Sequence, residues 1–282
     1  MNNTYREKIF SKLNQKKSRL CVGLDSDLEK IPSFFGQTVA DKFFLFNKTI
    51  IDSTHDLVVA FKINPSFYLE QGKIGLDAIK KTTNYIRQVD SMMPIIVDSK
   101  LSEFGRGGNA MATFYKNLGF DAVMVVPWFG TDLYDSLTNF DKDLGIIVHA
   151  HDSNPSCKQV QDLKTEKGVK VYEQVILDIL NRYDLAQQNI FLEAPATYPK
   201  ALQKIRKLIG EDEPIIIAGI GPQGGSIEAI LKNAGKDEKR IFVNSSREII
   251  FSGLGSDDIK SYKARVRKRT IAVNKMLFEL KN

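Results

Sequence analysis

An apolar run that ends in alternating opposite charges stands in the first half of the chain, as Pro94-Ile95-Ile96-Val97-Asp98-Ser99-Lys100-Leu101-Ser102-Glu103. Its apolar part is typical of a buried strand. Side chains two positions apart in a strand share a face, so Asp98 and Lys100 are expected to point the same way, which is inward if the strand belongs to a barrel. Buried ions are costly unless a partner or a substrate compensates them. The stretch therefore predicts an ionic site at a strand end, with a structural salt bridge as the simpler alternative.

Seven other short apolar runs resemble this one, and most are followed by a polar loop and a segment of helical periodicity. The eight candidate strands are residues 20–24, 57–63, 94–100, 122–126, 145–150, 190–192, 214–218 and 241–243. Strands that alternate with helices favour parallel pairing with right-handed crossovers, and eight of them at this length predict a single (β/α)8 TIM barrel. A doubly wound open sheet stays as the alternative, because periodicity does not distinguish closed from open sheets.

Additional helices are expected before the first strand and after the last. Thr4 and Glu7 have the spacing of a capping box, and apolar residues recur after them at helical intervals. The basic run 263–269 falls on a predicted C-terminal helix. No segment rich in Pro, Gly or Ser divides the sequence, so residues 1–282 are expected to form one domain.

Composition limits the partners and the compartment. The formal net charge is +6, but Lys and Arg are interleaved with Asp and Glu, which argues against nucleic-acid binding. Cys21 and Cys157 form neither a metal-type nor a redox-type pair, which fits a reducing compartment. No apolar run approaches the length that spans a bilayer, so we expect a cytoplasmic protein without a membrane partner.

Two loops near the C-terminal end of the sequence predict a phosphate site. After the seventh candidate strand comes Gly219-Ile220-Gly221-Pro222-Gln223-Gly224-Gly225-Ser226, whose glycines permit close backbone approach to an anion. After the eighth comes Asn244-Ser245-Ser246-Arg247, with one guanidinium that can bind two phosphate oxygens. Phosphate commonly binds in these two loops of such barrels.

The histidines are weaker evidence for a metal. His149 and His151 lie two positions apart at a strand end and could both face an ion. No third histidine or tight carboxylate cluster stands with them in the sequence, so we predict no metal site.

The ordered motifs at these strand ends resemble orotidine 5′-phosphate decarboxylases, in particular the longer bacterial type 2 subfamily. The matching motifs span nearly the whole chain: Gly23-Leu24-Asp25, Phe61-Lys62, Asp98-Ser99-Lys100, Ser153-Asn154-Pro155, Gly219 to Gly225 and Asn244 to Arg247. The resemblance implies a (β/α)8 barrel that acts as a homodimer with sites at the subunit interface. It also implies release of CO2 from orotidine 5′-phosphate to give UMP, without a metal or an organic cofactor.

The resemblance also implies a role for individual residues. Lys100 would protonate ring carbon C6, and Asp98 would lie beside the departing carboxylate. Lys62 and Asp25 would bind the ribose and complete the charge network. The remaining predicted substrate contacts are Ser153 and Asn154 near the pyrimidine, and Gln223, Gly224 and Arg247 at the phosphate.

Two residues depart from the family's pattern. Glu103 stands where the family has a second Asp that reaches into the partner subunit's site, and Asp152 stands where the subfamily typically has Thr. Glu103 is still expected to act electrostatically, with a longer side chain. These departures leave open a barrel that binds nucleotides with impaired catalysis. A related Mg-dependent sugar-phosphate lyase is a separate alternative.

Overall fold

Eight parallel strands close into a barrel in the computed structural model, which describes residues 4–16, 18–221, 224–235 and 240–279. Each strand pairs with the next in sequence, and the eighth pairs with the first. The strands are β1 Leu20–Gly23, β2 Ala60–Ile63, β3 Ile95–Leu101, β4 Ala122–Val125, β5 Gly145–His149, β6 Ile190–Pro195, β7 Ile215–Ala218 and β8 Ile241–Ser245. The predicted TIM barrel is confirmed, and the open sheet is excluded.

Helices cover the outside of the barrel, and additional helices precede the first strand and follow the last. They are α1 Tyr5–Gln15, α2 Val39–Thr54, α3 Ser66–Leu69, α4 Gly72–Val89, α5 Gly105–Leu118, α6 Thr131–Phe140, α7 Lys158–Gln161, α8 Val171–Arg182, α9 Pro199–Ile209, α10 Ile227–Asn233, α11 Arg247–Ile250 and α12 Ile259–Glu279. Short 3₁₀ turns occupy Leu28–Lys30, Ser33–Phe35, Pro127–Phe129 and Pro155–Cys157. In the described part of the chain, none of the helices combines the length and apolarity that crossing a bilayer requires.

Helix α1 closes the end of the barrel from which the strands start. The predicted capping box is present at its first turn. Its residues Tyr5, Ile9 and Leu13 are buried against the apolar barrel interior, and the Tyr5 amide donates to Asp143 O at 3.0 Å. Gly145 leaves room for this contact, because a Cβ there would come within 2.3 Å of the Tyr5 ring. Among the described residues, the cavity therefore lies at the opposite, C-terminal end of the strands.

The basic run 263–269 lies on α12, as predicted, and several of its cations have partners within the chain. Lys263 Nζ lies 3.5 Å from an Asp52 carboxylate oxygen, and Arg267 lies 2.7 Å from Asp56. Both acids belong to helix α2 and its C-terminal loop. These ion pairs connect α12 to α2, which agrees with a helix face that packs on the barrel.

Candidate active site

Polar side chains replace apolar ones at the C-terminal ends of the strands. Interior residues of one layer are followed two positions later by polar ones: Ala60 by Lys62, Ile96 by Asp98, Ile147 by His149 and Phe191 by Glu193. Because strand side chains alternate between faces, each of these polar groups also points into the barrel. An apolar interior thus ends in a layer of charged and polar groups.

This layer forms the floor of a cavity of about 510 Å³ at the open end of the barrel. Its lining includes Asp25, Lys62, Asp98, Lys100, His149, Asp152, Ser153, Asn154, Glu193 and Arg247. Most of the predicted site residues therefore come together in one cavity. Lys100 and Arg247, which the sequence analysis predicts to contact opposite ends of one ligand, both line it.

Asp98 is the centre of the charge network. Lys62 Nζ donates to Asp98 Oδ2 at 2.9 Å, and Lys100 Nζ donates to Asp98 Oδ1 at 2.6 Å. Asp25 Oδ1 lies 3.6 Å from Lys62 Nζ. The four groups that sequence analysis assigned to the catalytic end of the site thus form one connected chain of alternating charge.

Burial and neighbouring charges act in opposite directions on these groups. Burial alone would raise the pKa of Asp98, but Lys62, His149 and Lys100 lower that pKa well below its ordinary value. Burial alone would lower the pKa of Lys62, yet Asp25 and Asp98 raise it above its ordinary value. Asp98 is therefore an anion and Lys62 a cation throughout the neutral range.

The backbone departs from regular strand geometry at Lys100. The register between β3 and β4 shifts between Val97 and Leu101, and Lys100 has a φ of 48°. A non-glycine residue with positive φ costs on the order of 1–3 kcal/mol, and such strain is typical of functional sites. The simple alternation expected from the sequence does not extend to Lys100, whose side chain is 53% exposed at the cavity while that of Asp98 is 11% exposed.

His149 lies against three carboxylates on the cavity wall. Its Nδ1 is 2.5 Å from Glu193 Oε2 and 3.1 Å from Asp152 Oδ1, while Nε2 is 3.6 Å from Asp98 Oδ1. Burial alone would lower the pKa of His149, but Glu193, Asp152 and Asp98 raise it well above its ordinary value. His151 does not join this group, because its Nε2 faces Asp162 at 3.2 Å.

The sequence analysis did not identify Glu193 as a site residue, and it did not predict that Asp152 lies against His149. Gln161 Nε2 donates to Asp152 Oδ2 at 2.6 Å and holds that carboxylate toward His149. Glu193 was missed because strand six was ended at Leu192, whereas β6 continues through Pro195. Alternation from the inward Phe191 would have found Glu193.

The predicted pyrimidine loop is anchored to the strand beside it. Ser153 and Asn154 line the cavity. Their backbone carbonyls accept hydrogen bonds from the hydroxyls of Thr197 and Tyr198, at 3.1 and 3.3 Å. The loop is therefore fixed relative to the C-terminal end of β6.

The predicted phosphate loops lie on the other side of the same cavity. Gly219 and Arg247 line it, and the Gly225 amide donates to Gly219 O at 2.9 Å. Gly224 has a φ of 87°, a conformation that glycine adopts without strain, and it shapes the loop without lining the cavity. Gln223 lies outside the described residues.

Glu103 lies outside the cavity of its own chain. It stands just before α5 and is exposed, and its Oε1 accepts a hydrogen bond from the Phe104 amide at 3.2 Å. Asp98, and not Glu103, is the acid that contacts Lys100 within one subunit.

Comparisons with known proteins point to one family. The profile of the family described as "Orotidine 5′-phosphate decarboxylase / HUMPS family" matches residues 18–262. The chain is 34% identical over 275 residues to the orotidine 5′-phosphate decarboxylase of Flavobacterium johnsoniae, covering 97% of each protein. It is 32% identical to that of Cellvibrio japonicus, covering 93% of this chain and 94% of the relative.

Solved structures have the same fold. The chain matches Leishmania donovani UMP synthase with a TM-score of 0.79 and 25% identity, over 99% of this chain and 57% of that one. It matches Plasmodium berghei orotidine 5′-monophosphate decarboxylase with a TM-score of 0.80 and 19% identity, over 98% of both chains. The second likeness concerns the fold alone.

Proposed function

The chain belongs to the orotidine 5′-phosphate decarboxylase / HUMPS family, and from this premise we propose that it converts orotidine 5′-phosphate to UMP and CO2, the last step of UMP biosynthesis. The observation that carries the proposal is the cavity that joins Lys100, paired with Asp98, to Arg247 and the glycine loop. One end suits a developing negative charge, and the other suits a phosphate.

The chemical problem is an electron pair without a resonance sink. When the bond between C6 and the carboxylate carbon breaks, CO2 leaves and the electron pair stays on C6 in the ring plane. The Lys100 ammonium lies in the cavity with its charge oriented by Asp98 at 2.6 Å, and it would stabilise this pair electrostatically. Transfer of one proton from Lys100 to C6 then gives UMP, and water returns a proton to Lys100.

Lys62 and Asp98 hold this arrangement in place. Lys62 is buried between Asp25 and Asp98, so its single positive charge offsets part of the negative charge that these two acids present to an anionic substrate. Asp98 would lie against the substrate carboxylate, where repulsion decreases as CO2 departs. Neither role needs a cofactor.

The phosphate end would supply binding energy for catalysis. Arg247 can bind two phosphate oxygens, and the loop from Gly219 to Gly221 offers backbone groups beside it. Gln223 belongs to the same proposed contact. Binding energy from this remote group can order the site around C6, so it contributes to turnover as well as to affinity.

We also propose a homodimer in which Glu103 acts in the partner's site. Its exposure beside the cavity mouth supports this, because in one subunit it contacts none of the catalytic side chains. Apolar side chains around it are unusually exposed, at 43% for Phe104, 53% for Trp128 and 52% for Phe129. Such a patch favours burial against a second copy.

We also propose that the protein resides in a reducing compartment such as the cytoplasm. Cys21 and Cys157 are both buried free thiols. Proteins of oxidising compartments more commonly form disulfides.

The direct test follows the near-ultraviolet absorbance of orotidine 5′-phosphate with purified protein in EDTA. We expect turnover by the natural protein and a loss of about 10³-fold or more in Lys100→Ala, since both charge stabilisation and proton donation are removed. UMP binding, measured by calorimetry, should persist in this variant.

Lys142→Ala is the matched control, because Lys142 is exposed just before β5, at the closed end of the barrel. It should retain full turnover. Substantial turnover by Lys100→Ala would remove Lys100 from its proposed role. Tight UMP binding by the natural protein without CO2 release would favour the binding-only alternative.

A further inference from the structure

The cluster of His149, Asp152 and Glu193 has no part in the proposed decarboxylation. We propose that these three side chains bind one first-row divalent cation, such as Zn²⁺ or Mn²⁺, in the wall of the cavity. One donor atom from each, an imidazole nitrogen and two carboxylate oxygens, lies within 4.8 Å of the others. This donor set suits borderline divalent cations.

Strand pairing positions the two buried members. His149 and Glu193 are directly paired across β5 and β6. Their residue exposures are only 5% and 8%. Asp152 follows three residues after His149 and is held by Gln161 through a 2.6 Å hydrogen bond. Ligands on paired strands and a braced loop are positioned more accurately than ligands on a free loop.

Several buried polar atoms of this cluster lack a hydrogen bond. Within the described ranges, three atoms have no hydrogen-bond partner of acceptable geometry. They are Nδ1 and Nε2 of His149 and Oε2 of Glu193. Nδ1 and Oε2 are nevertheless only 2.5 Å apart. Buried donors and acceptors without partners are costly. A cation bound to both atoms would give Nδ1 and Oε2 a common partner.

The charge count favours a divalent cation over a proton. In the cavity, Lys62 and Lys100 offset Asp25 and Asp98, and Arg247 and Glu248, which also line it, carry opposite charges. Asp152 and Glu193 then remain, and in the part of the chain that the structure describes neither forms an ion pair with Lys or Arg. A protonated His149 would offset only one of these two charges. A divalent cation on neutral His149 would offset both, which reduces the desolvation cost.

The second nitrogen of His149 supports the same arrangement. If Nδ1 binds the ion, Nε2 carries the ring proton and faces Asp98 Oδ1 at 3.6 Å. Metal-binding histidines usually donate their other N–H to a carboxylate, and the distance from Nε2 to Asp98 must shorten by about half an ångström for such a bond to form. Two ligand atoms on one ion lie about 3 Å apart, so the Glu193 carboxylate must move outward by roughly half an ångström. The remaining coordination positions face the cavity.

Metal binding can be measured without any substrate. Full-length protein stripped with a chelator is titrated with Zn²⁺ and, separately, with Mn²⁺ by calorimetry, and the metal content is counted after dialysis. We expect one ion per chain for at least one of the two metals. In Glu193→Gln and in Asp152→Asn the affinity for the metal should fall by about tenfold or more, since each change replaces a charged ligand with a neutral side chain of nearly the same shape.

Asp162→Asn is the matched control. It removes the same charge from a nearby loop, but Asp162 pairs with His151 and Lys170 instead of the cluster. Its affinity should equal that of the natural protein. The proposal would be overturned if the natural protein bound neither metal. It would also be overturned if Glu193→Gln and Asp152→Asn bound the metal as tightly as the natural protein does.

Nuclear magnetic resonance of the natural protein provides a second test that needs no variant. The chain has only three histidines, so the imidazole signals are few. Zn²⁺ should shift the signals of His149 and leave those of His55 and His151 unchanged. A doubly protonated His149 ring that does not respond to Zn²⁺ would contradict the proposal. These results do not depend on decarboxylation, which is tested by turnover in EDTA.

Discussion

Asp98 is the residue on which the charge network depends. Its side chain is mostly buried and accepts hydrogen bonds from both Lys62 and Lys100, and these cations together with His149 keep its pKa low despite its partial burial. A carboxyl whose folded-state pKa is depressed stabilises the fold above its unfolded-state pKa. That contribution is lost as the pH falls toward the folded-state value.

The direction of this pH dependence can be tested by acid unfolding. Below about pH 4, the free energy of unfolding of the natural protein should decrease with falling pH more steeply than that of Asp98→Asn, by up to about 1.4 kcal/mol per pH unit. Urea titrations at a series of pH values between about 2.5 and 6 measure both slopes. Equal slopes would mean that Asp98 is not held as an anion in the folded protein.

Arg247 gives a prediction at the other end of the cavity. Arg247→Ala should lower kcat/KM for orotidine 5′-phosphate roughly 30- to 1000-fold, which corresponds to about 2–4 kcal/mol of transition-state stabilisation. The loss has two causes: the charge-assisted contact to the phosphate disappears, and so does the ordering of the site that this contact supports. Steady-state kinetics measure the change. The nucleoside orotidine, which has no phosphate, is the control substrate, and its kcat/KM should be the same in both proteins. An equal loss for both substrates would assign Arg247 to folding instead of phosphate binding.

At the scale of single elements, α1 acts as the closure of the barrel's lower end. Ile9 is fully buried there against the interior side chains of the strands. Nothing in α1 lines the cavity. The helix is thus expected to contribute to stability and not to chemistry.

Ile9→Ala should therefore lower the free energy of unfolding by about 2–5 kcal/mol, the usual cost of removing buried methyl groups and leaving a cavity. Chemical denaturation measures this loss. Well below the unfolding transition, kcat for orotidine 5′-phosphate should be unchanged. A lower kcat in a fully folded sample would show that α1 influences the site at the opposite end of the strands.

At the scale of the whole molecule, the proposed dimer can be tested by mixing two inactive chains. If Glu103 acts in the partner's site, a dimer of one Lys100→Ala chain and one Glu103→Ala chain contains one intact site. Random pairing of equal amounts should therefore restore about a quarter of the natural activity. Co-expression followed by turnover assays measures it, and light scattering confirms the dimer.

The matched control pairs Lys100→Ala with Lys62→Ala. Both residues lie in the same chain's cavity, so each site of the mixed dimer lacks one of them and no activity should return. No recovery in the Glu103→Ala mixture, or full activity of Glu103→Ala alone, would rule out the shared site.

Local sequence was enough to predict the barrel and most of its cavity. Strand alternation and helical periodicity are properties of neighbouring residues, so eight strands, the capping box at Thr4 and the polar strand ends at Lys62 and Asp98 follow from the sequence alone. The sequence also predicts that Asp98 and Arg247 lie at the same end of the barrel, because the C-terminal ends of parallel strands meet there.

Only the tertiary structure decided which of these groups touch. The pairing of His149 with Glu193 depends on the register of β5 against β6, and the position of Lys100 depends on a register shift between β3 and β4. The docking of Tyr5 against Gly145 joins segments far apart in the sequence. Contacts of this kind arise from packing between strands and helices, which the periodicity of one segment does not encode.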